Sequence, residues 1–132
     1  VGRRILGHGL VPIIEPEVTI TIADKAAAEE ILRDKIMKGL DALDQEVMLK
    51  LSLPSEENFY APCIAHPNCM RVVALSGGYS REEANRRLAA NSGMIASFSR
   101  ALTEGLSDAQ SDDEFNVTLA GTISSIYEAS IS

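Results

Sequence analysis

Four short apolar runs punctuate the chain: Leu10 to Ile14, Val47 to Leu51, Val72 to Leu75 and Met94 to Phe98. Each is nearly free of the apolar–polar alternation that marks a strand with one wet face, so each predicts a strand covered on both faces, as in a parallel sheet. Parallel neighbours require a crossover between them, usually helical. Helical stretches stand in those gaps. Asp24 to Lys38 carries Ala27, Ile31, Ile36 and Leu40 near one face, with Gly39 as a stop signal. Ser80-Arg81-Glu82-Glu83 has capping-box form and opens a helix reaching Ala90. Ser111-Asp112-Asp113-Glu114 repeats that form before a last helix with the core stripe Phe115, Leu119, Ile123 and Ile126. A helical stub precedes the first run, and the proline-interrupted segment Pro54 to Pro67 predicts a loop with at most a short helix. The order amounts to four consecutive β/α units in one domain, residues 1–132. Periodicity alone leaves open a doubly wound sheet or part of a (β/α)8 barrel. Glu15, Lys50, Ser76 and Arg100 all fall at or just past the C-terminal ends of the runs, the rim on which barrel active sites are built.

Composition narrows the function classes. The 132 residues are 45% hydrophobic and 23% charged, ordinary values for a folded domain. A formal net charge of −7 argues against duplex nucleic acid or anionic membrane as partner, since both require a basic face. One arginine and a few backbone N–H groups still suffice for a local anion site. No apolar run has the length of a membrane span, the start at Val1 without an initiator Met reads as a cut, and two cysteines are too few for a disulfide framework. A reducing, cytoplasmic compartment is the expectation.

Four constellations carry candidate chemistry. Glu15 and Glu17 lie two apart on an extended, proline-stiffened segment, an arrangement suited to acid/base work and equally to a solvated loop. Lys50 interrupts an apolar strand; a desolvated lysine supplies the free amine that attacks a carbonyl, while one on an outer face would snorkel to water. Ser76-Gly77-Gly78 follows a strand directly, where its exposed N–H groups could cradle a phosphate or simply form a loop. Ser99 and Arg100 sit where strand gives way to a short helix, the phosphate position of many barrels, and Arg100 offers a bidentate partner. Its bland alternative is a surface arginine. Cys63, His66 and Cys69 have ligand-like spacing without a fourth Cys or His, which favours buried thiols over structural zinc. His8 has no evident partner.

Taken in order, the stretches GLVPIIEPEV, VMLKLSLP, RVVALSGGYSREEAN and IASFSRAL resemble class I fructose-1,6-bisphosphate aldolase of the bacterial type. The resemblance implies a (β/α)8 TIM barrel, of which this chain would supply strands five to eight, the C-terminal half. It further implies Lys50 as the Schiff-base lysine, Glu15 as the principal acid/base with Glu17 in electrostatic support, and Ser76, Gly77, Ser99 and Arg100 at a substrate phosphate. Position 99 is Gly in the animal enzymes, a change that a backbone N–H contact would survive. The implied reaction is cleavage of fructose 1,6-bisphosphate in glycolysis and gluconeogenesis, with no cofactor and no metal.

The family's first four strands, with its catalytic aspartate and further lysines, have no counterpart here, so the isolated chain is expected to be impaired. Two open sheet edges predict self-association or pairing with the missing N-terminal half. Leu49, Leu51 and Val73 are expected to point into the incomplete barrel and meet water or a neighbouring molecule. An inert, self-associating half-barrel and another Schiff-base barrel, such as a transaldolase-like enzyme, are the competing readings.

Overall fold

The computed structural model describes residues 1–132. A short helix, α1 (Gly2–Leu6), leads into β1 (Ile13–Ile14), α2 (Lys25–Asp41), β2 (Val47–Ser52), α3 (Ala61–Ile64), β3 (Cys69–Leu75), α4 (Arg81–Ala89), β4 (Met94–Ala96), α5 (Arg100–Thr103) and α6 (Asp112–Ser130). The strands form one four-stranded parallel sheet in the order β1-β2-β3-β4. Sequential parallel strands joined by helices on one face are the topology of a (β/α) barrel arc, whereas a doubly wound sheet reverses direction part-way. No helix is long and apolar enough to cross a membrane.

Alternation along the strands gives the sheet two unlike faces. Val47, Leu49, Leu51, Val72, Ala74 and Met94 share a core with Ile36 and Leu40 of α2, Ala84 and Leu88 of α4 and Ala129 of α6. The opposite face presents the intervening residues in register, Met48 beside Arg71 and Lys50 beside Val73, with Val73 beside Ile95. Leu49 and Leu51 are therefore covered by helices, at 2% and 0% exposed, rather than facing the open side as expected. The lysine between them defines the other face, and that same alternation carries the two leucines away from it. Val73 does lie on the open side, yet it is buried.

Several local expectations shift. β1 shrinks to two residues because Leu10 and Val11 lie exposed at the sheet edge and Pro12 has no N–H to donate, although its carbonyl accepts from Met48 N at 2.9 Å. β4 ends at Ala96, two residues early, while Phe98 turns into the core. α2 continues through Gly39 to Asp41; Ile36 and Leu40 of its expected face are buried, but Lys25 and Glu29 complete that face in place of Ala27 and Ile31. In α6 the buried residues are Thr122 and Ala129, with Phe115 and Ile123 exposed. Ser111 and Glu114 form the complete capping box. Ser80 caps α4 through Glu83 N, but the Glu83 carboxylate binds Arg86 and Arg87 instead of returning to the cap. Those two guanidiniums hold the Glu83 carboxyl down to about 2.

Candidate active site

Towards and past the C-terminal ends of the strands, polar residues converge. Lys50, fourth residue of β2, projects from the open face and donates from Nζ to Glu15 Oε2 at 3.0 Å. Its side chain is 27% exposed and that of Glu15 51%, so the pair is partly wet. Glu15 and Glu17 lie in the irregular segment after β1. A cavity of about 200 Å³ takes in both carboxylates and Lys50, with Leu75, Ser76 and Gly77 at the end of β3 and Ser97, Ser99 and Arg100 at the end of β4. All seven candidate residues thus line one space.

The glycine turn is shaped for close approach. Gly77 has φ +65°, and a Cβ there would come within 3.2 Å of Ile20 Cγ2 and 3.3 Å of Leu75 Cδ1. Gly78, at φ +102°, packs its backbone against the Arg100 guanidinium, whose Nη1 would be 3.9 Å from an added Cβ. Arg100 forms no salt bridge, so its fork is free for an incoming anion. The arrangement places an amine beside a carboxylate on one side and an uncommitted guanidinium over glycine backbone on the other. It can bind an anionic carbonyl compound and move a proton between Glu15 and Lys50.

Two larger apolar grooves lie elsewhere. One of about 530 Å³ runs between α1, β1 and α2, and one of about 540 Å³ lies beside β4 and α6. They flank the two sheet edges and carry no comparable convergence of acid, amine and guanidinium. The smaller polar cavity, where acid, amine and guanidinium meet, is the candidate site.

Cys63, His66 and Cys69 do not converge as ligands. The Cys63 thiol contacts Met37 Sδ at 3.7 Å, while the His66 ring meets Asp41 Oδ1 at 3.2 Å and accepts from Asn68 N at 3.0 Å. Burial, then the neighbouring Cys69, pushes the Cys63 thiol up to about 11, and burial likewise raises Cys69. Both are inert buried thiols.

Sequence reasoning missed Ser97, which follows Ile95 by two and so returns to the face of Lys50; period-two counting past the strand end would have found it. It also missed the buried Lys25–Glu29 pair, whose ammonium reaches Leu53 O at 2.9 Å. Positions 25 and 29 stand at helical spacing from the buried apolar pair Ile36 and Leu40, a signal hidden by the charge of the first two.

No family model matches the chain. Among curated proteins, the class 1 fructose-bisphosphate aldolase of Porphyromonas gingivalis is 57% identical over 130 residues, 98% of this chain. The chain belongs to the class 1 fructose-bisphosphate aldolase family. The enzyme of that name from Clostridium acetobutylicum is 58% identical over 97% of the chain, and that from Synechocystis sp. is 57% identical over 98%. The chain spans 44% of the length of each of these aldolases, so it matches somewhat less than half of an aldolase polypeptide.

Proposed function

We propose that this chain forms the Schiff-base half of a class I aldolase active site, cleaving fructose 1,6-bisphosphate to dihydroxyacetone phosphate and glyceraldehyde 3-phosphate. The observation that carries the reading is the 3.0 Å contact of Lys50 with Glu15 in the same cavity as Gly77 and Arg100. Lys50 gives its proton to Glu15 and adds to the C2 ketone; Glu15 returns the proton as water leaves, producing a protonated imine. That cation draws in the electrons of the C3–C4 bond, which breaks as a base removes the C4 hydroxyl proton. Glyceraldehyde 3-phosphate departs, the enamine is protonated at C3, and hydrolysis frees dihydroxyacetone phosphate and Lys50. Glu17 adds negative potential beside the imine. One substrate phosphate rests on Ser76, Gly77 and Ser99 with Arg100 as its charged clamp.

In this reading the chain is the C-terminal half of the barrel, its four strands being the fifth to eighth, and works in the cytoplasm in glycolysis or gluconeogenesis. The edges at β1 and β4 pair with the remaining strands of the barrel or, without them, with a second copy. Analytical ultracentrifugation of the 132-residue chain should show association; a stable monomer at all concentrations would refute that part.

The test of function uses a chimera in which this chain replaces the matching segment of the Clostridium acetobutylicum aldolase. Borohydride in the presence of dihydroxyacetone phosphate should fix one adduct, mapped to Lys50. Absence of an adduct, or label on another lysine, would overturn the assignment.

A further inference from the structure

The segment that carries both candidate acids has little backbone support. β1 stops at Ile14, and from Glu15 to Val18 the chain makes no backbone–backbone hydrogen bond. Such a segment would normally sample several conformations, and the carboxylates with it. Its polar ties to the sheet are two. One is the Lys50–Glu15 pair itself, which substrate chemistry must break. The other is Ser52, the last residue of β2 and 1% exposed.

The Ser52 hydroxyl accepts from Val18 N at 2.9 Å and donates to Val18 O at 3.0 Å. One hydroxyl thus satisfies both backbone groups of a residue whose own side chain is buried, substituting for the ladder that β1 fails to continue. Ser52 lies two residues beyond Lys50 on the same strand, and Val18 lies one residue beyond Glu17. The bond pair therefore fixes the acid-bearing segment to the strand that carries the amine.

We infer that Ser52 is a positioning residue, setting the Glu15–Glu17 segment against Lys50 through both backbone groups of Val18. The inference rests on the aldolase reading of the site. Removing the hydroxyl strands a buried N–H and a buried C=O, and the segment relieves this by moving toward water. Displacement of about 1 Å at an acid/base group costs on the order of 100-fold in rate. The proposed phosphate contacts come from the turns after β3 and β4 and not from the Glu15–Val18 segment, which reaches them only through the packing of Ile20 on Gly77, so substrate affinity should change less than kcat.

The test is Ser52→Ala in the same chimera. The expected result is a fall in kcat of about 10- to 100-fold with KM within about threefold, because only the positioned acid is disturbed. Combined with Glu15→Gln, Ser52→Ala should cost less than about threefold further, since a group acting through Glu15 has nothing left to position. An unchanged kcat, or the same loss in both backgrounds, would overturn the inference. Should Ser52→Ala not fold, Ser52→Cys decides in its place: it keeps the volume while offering only weak hydrogen bonds, and wild-type kcat there would be equally fatal. Borohydride trapping on the parent chimera separates the two levels. Failure to label Lys50 defeats the aldolase reading, whereas labelling with an indifferent Ser52→Ala defeats only the role of Ser52.

Discussion

Replacing Glu29 with alanine should destabilise the chain far more than its i,i+4 pairing with Lys25 suggests. Exposed pairs of that spacing contribute about 0.3–0.5 kcal/mol. Here, however, Glu29 is 1% exposed and Lys25 8%. The carboxylate holds the Lys25 ammonium and also accepts from Ser55 N at 3.0 Å, while the ammonium donates to Leu53 O at 2.9 Å and Ser55 Oγ at 3.3 Å. Glu29→Ala leaves that ammonium buried among neutral acceptors and leaves Ser55 N without its partner. Breaking a buried pair from one side costs about 3–5 kcal/mol, a large share of the roughly 5–15 kcal/mol that holds a domain together. Lys25→Met with Glu29→Leu removes both charges and should cost less than Glu29→Ala alone, the remainder being the stranded Ser55 N and Leu53 O. The assay is urea unfolding at one fixed chain concentration, read as a shift in midpoint at constant m-value. A loss below about 1 kcal/mol for Glu29→Ala would refute the buried-pair reasoning, because a hydrated surface pair behaves that way.

Arg100→Ala in the chimera should weaken phosphate-bearing ketose ligands by at least about tenfold while sparing their unphosphorylated analogues, since a charged hydrogen bond is worth about 1.5–3 kcal/mol; competition binding measures both, and equal losses would point to a structural role. Tyr60→Phe should change stability by less than about 1 kcal/mol in either direction, because the deleted hydroxyl is buried with no hydrogen-bond partner; a larger loss in urea unfolding would mean that the hydroxyl has one. The Cys63 thiol, pushed up from 9.0 to about 11, stays protonated when folded while an unfolded copy ionises first, so its contribution to stability is present below about pH 9 and is lost as pH rises toward 11. Iodoacetamide at pH 8 should accordingly label Cys63 only after urea is added, and rapid labelling of the native chain would contradict its burial.

Local chemistry made most of the elements, and the residues that gather in the candidate site, legible before any packing was known. The apolar runs marked all four strands, although helices cover only one face of the sheet in this chain, and the Ser111 box marked the start of α6 because side chain and backbone there are neighbours in sequence. Lys50 was visible as a lysine within an apolar strand, and Glu15, Gly77 and Arg100 as polar or glycine residues just past strand ends, where their types conflict with the adjacent apolar runs. What crosses between elements was not legible. Which face of α2 is buried depends on the loop after β2, whose Leu53 carbonyl and Ser55 give Lys25 and Glu29 partners and so make charged positions interior. β1 frays to two residues because it is an edge, a property of sheet order rather than of its own residues. The hold of Ser52 on Val18 joins positions 34 residues apart. A hydroxyl at a strand end looks the same in sequence whether it faces water or a backbone, and only the tertiary structure brings that backbone within reach.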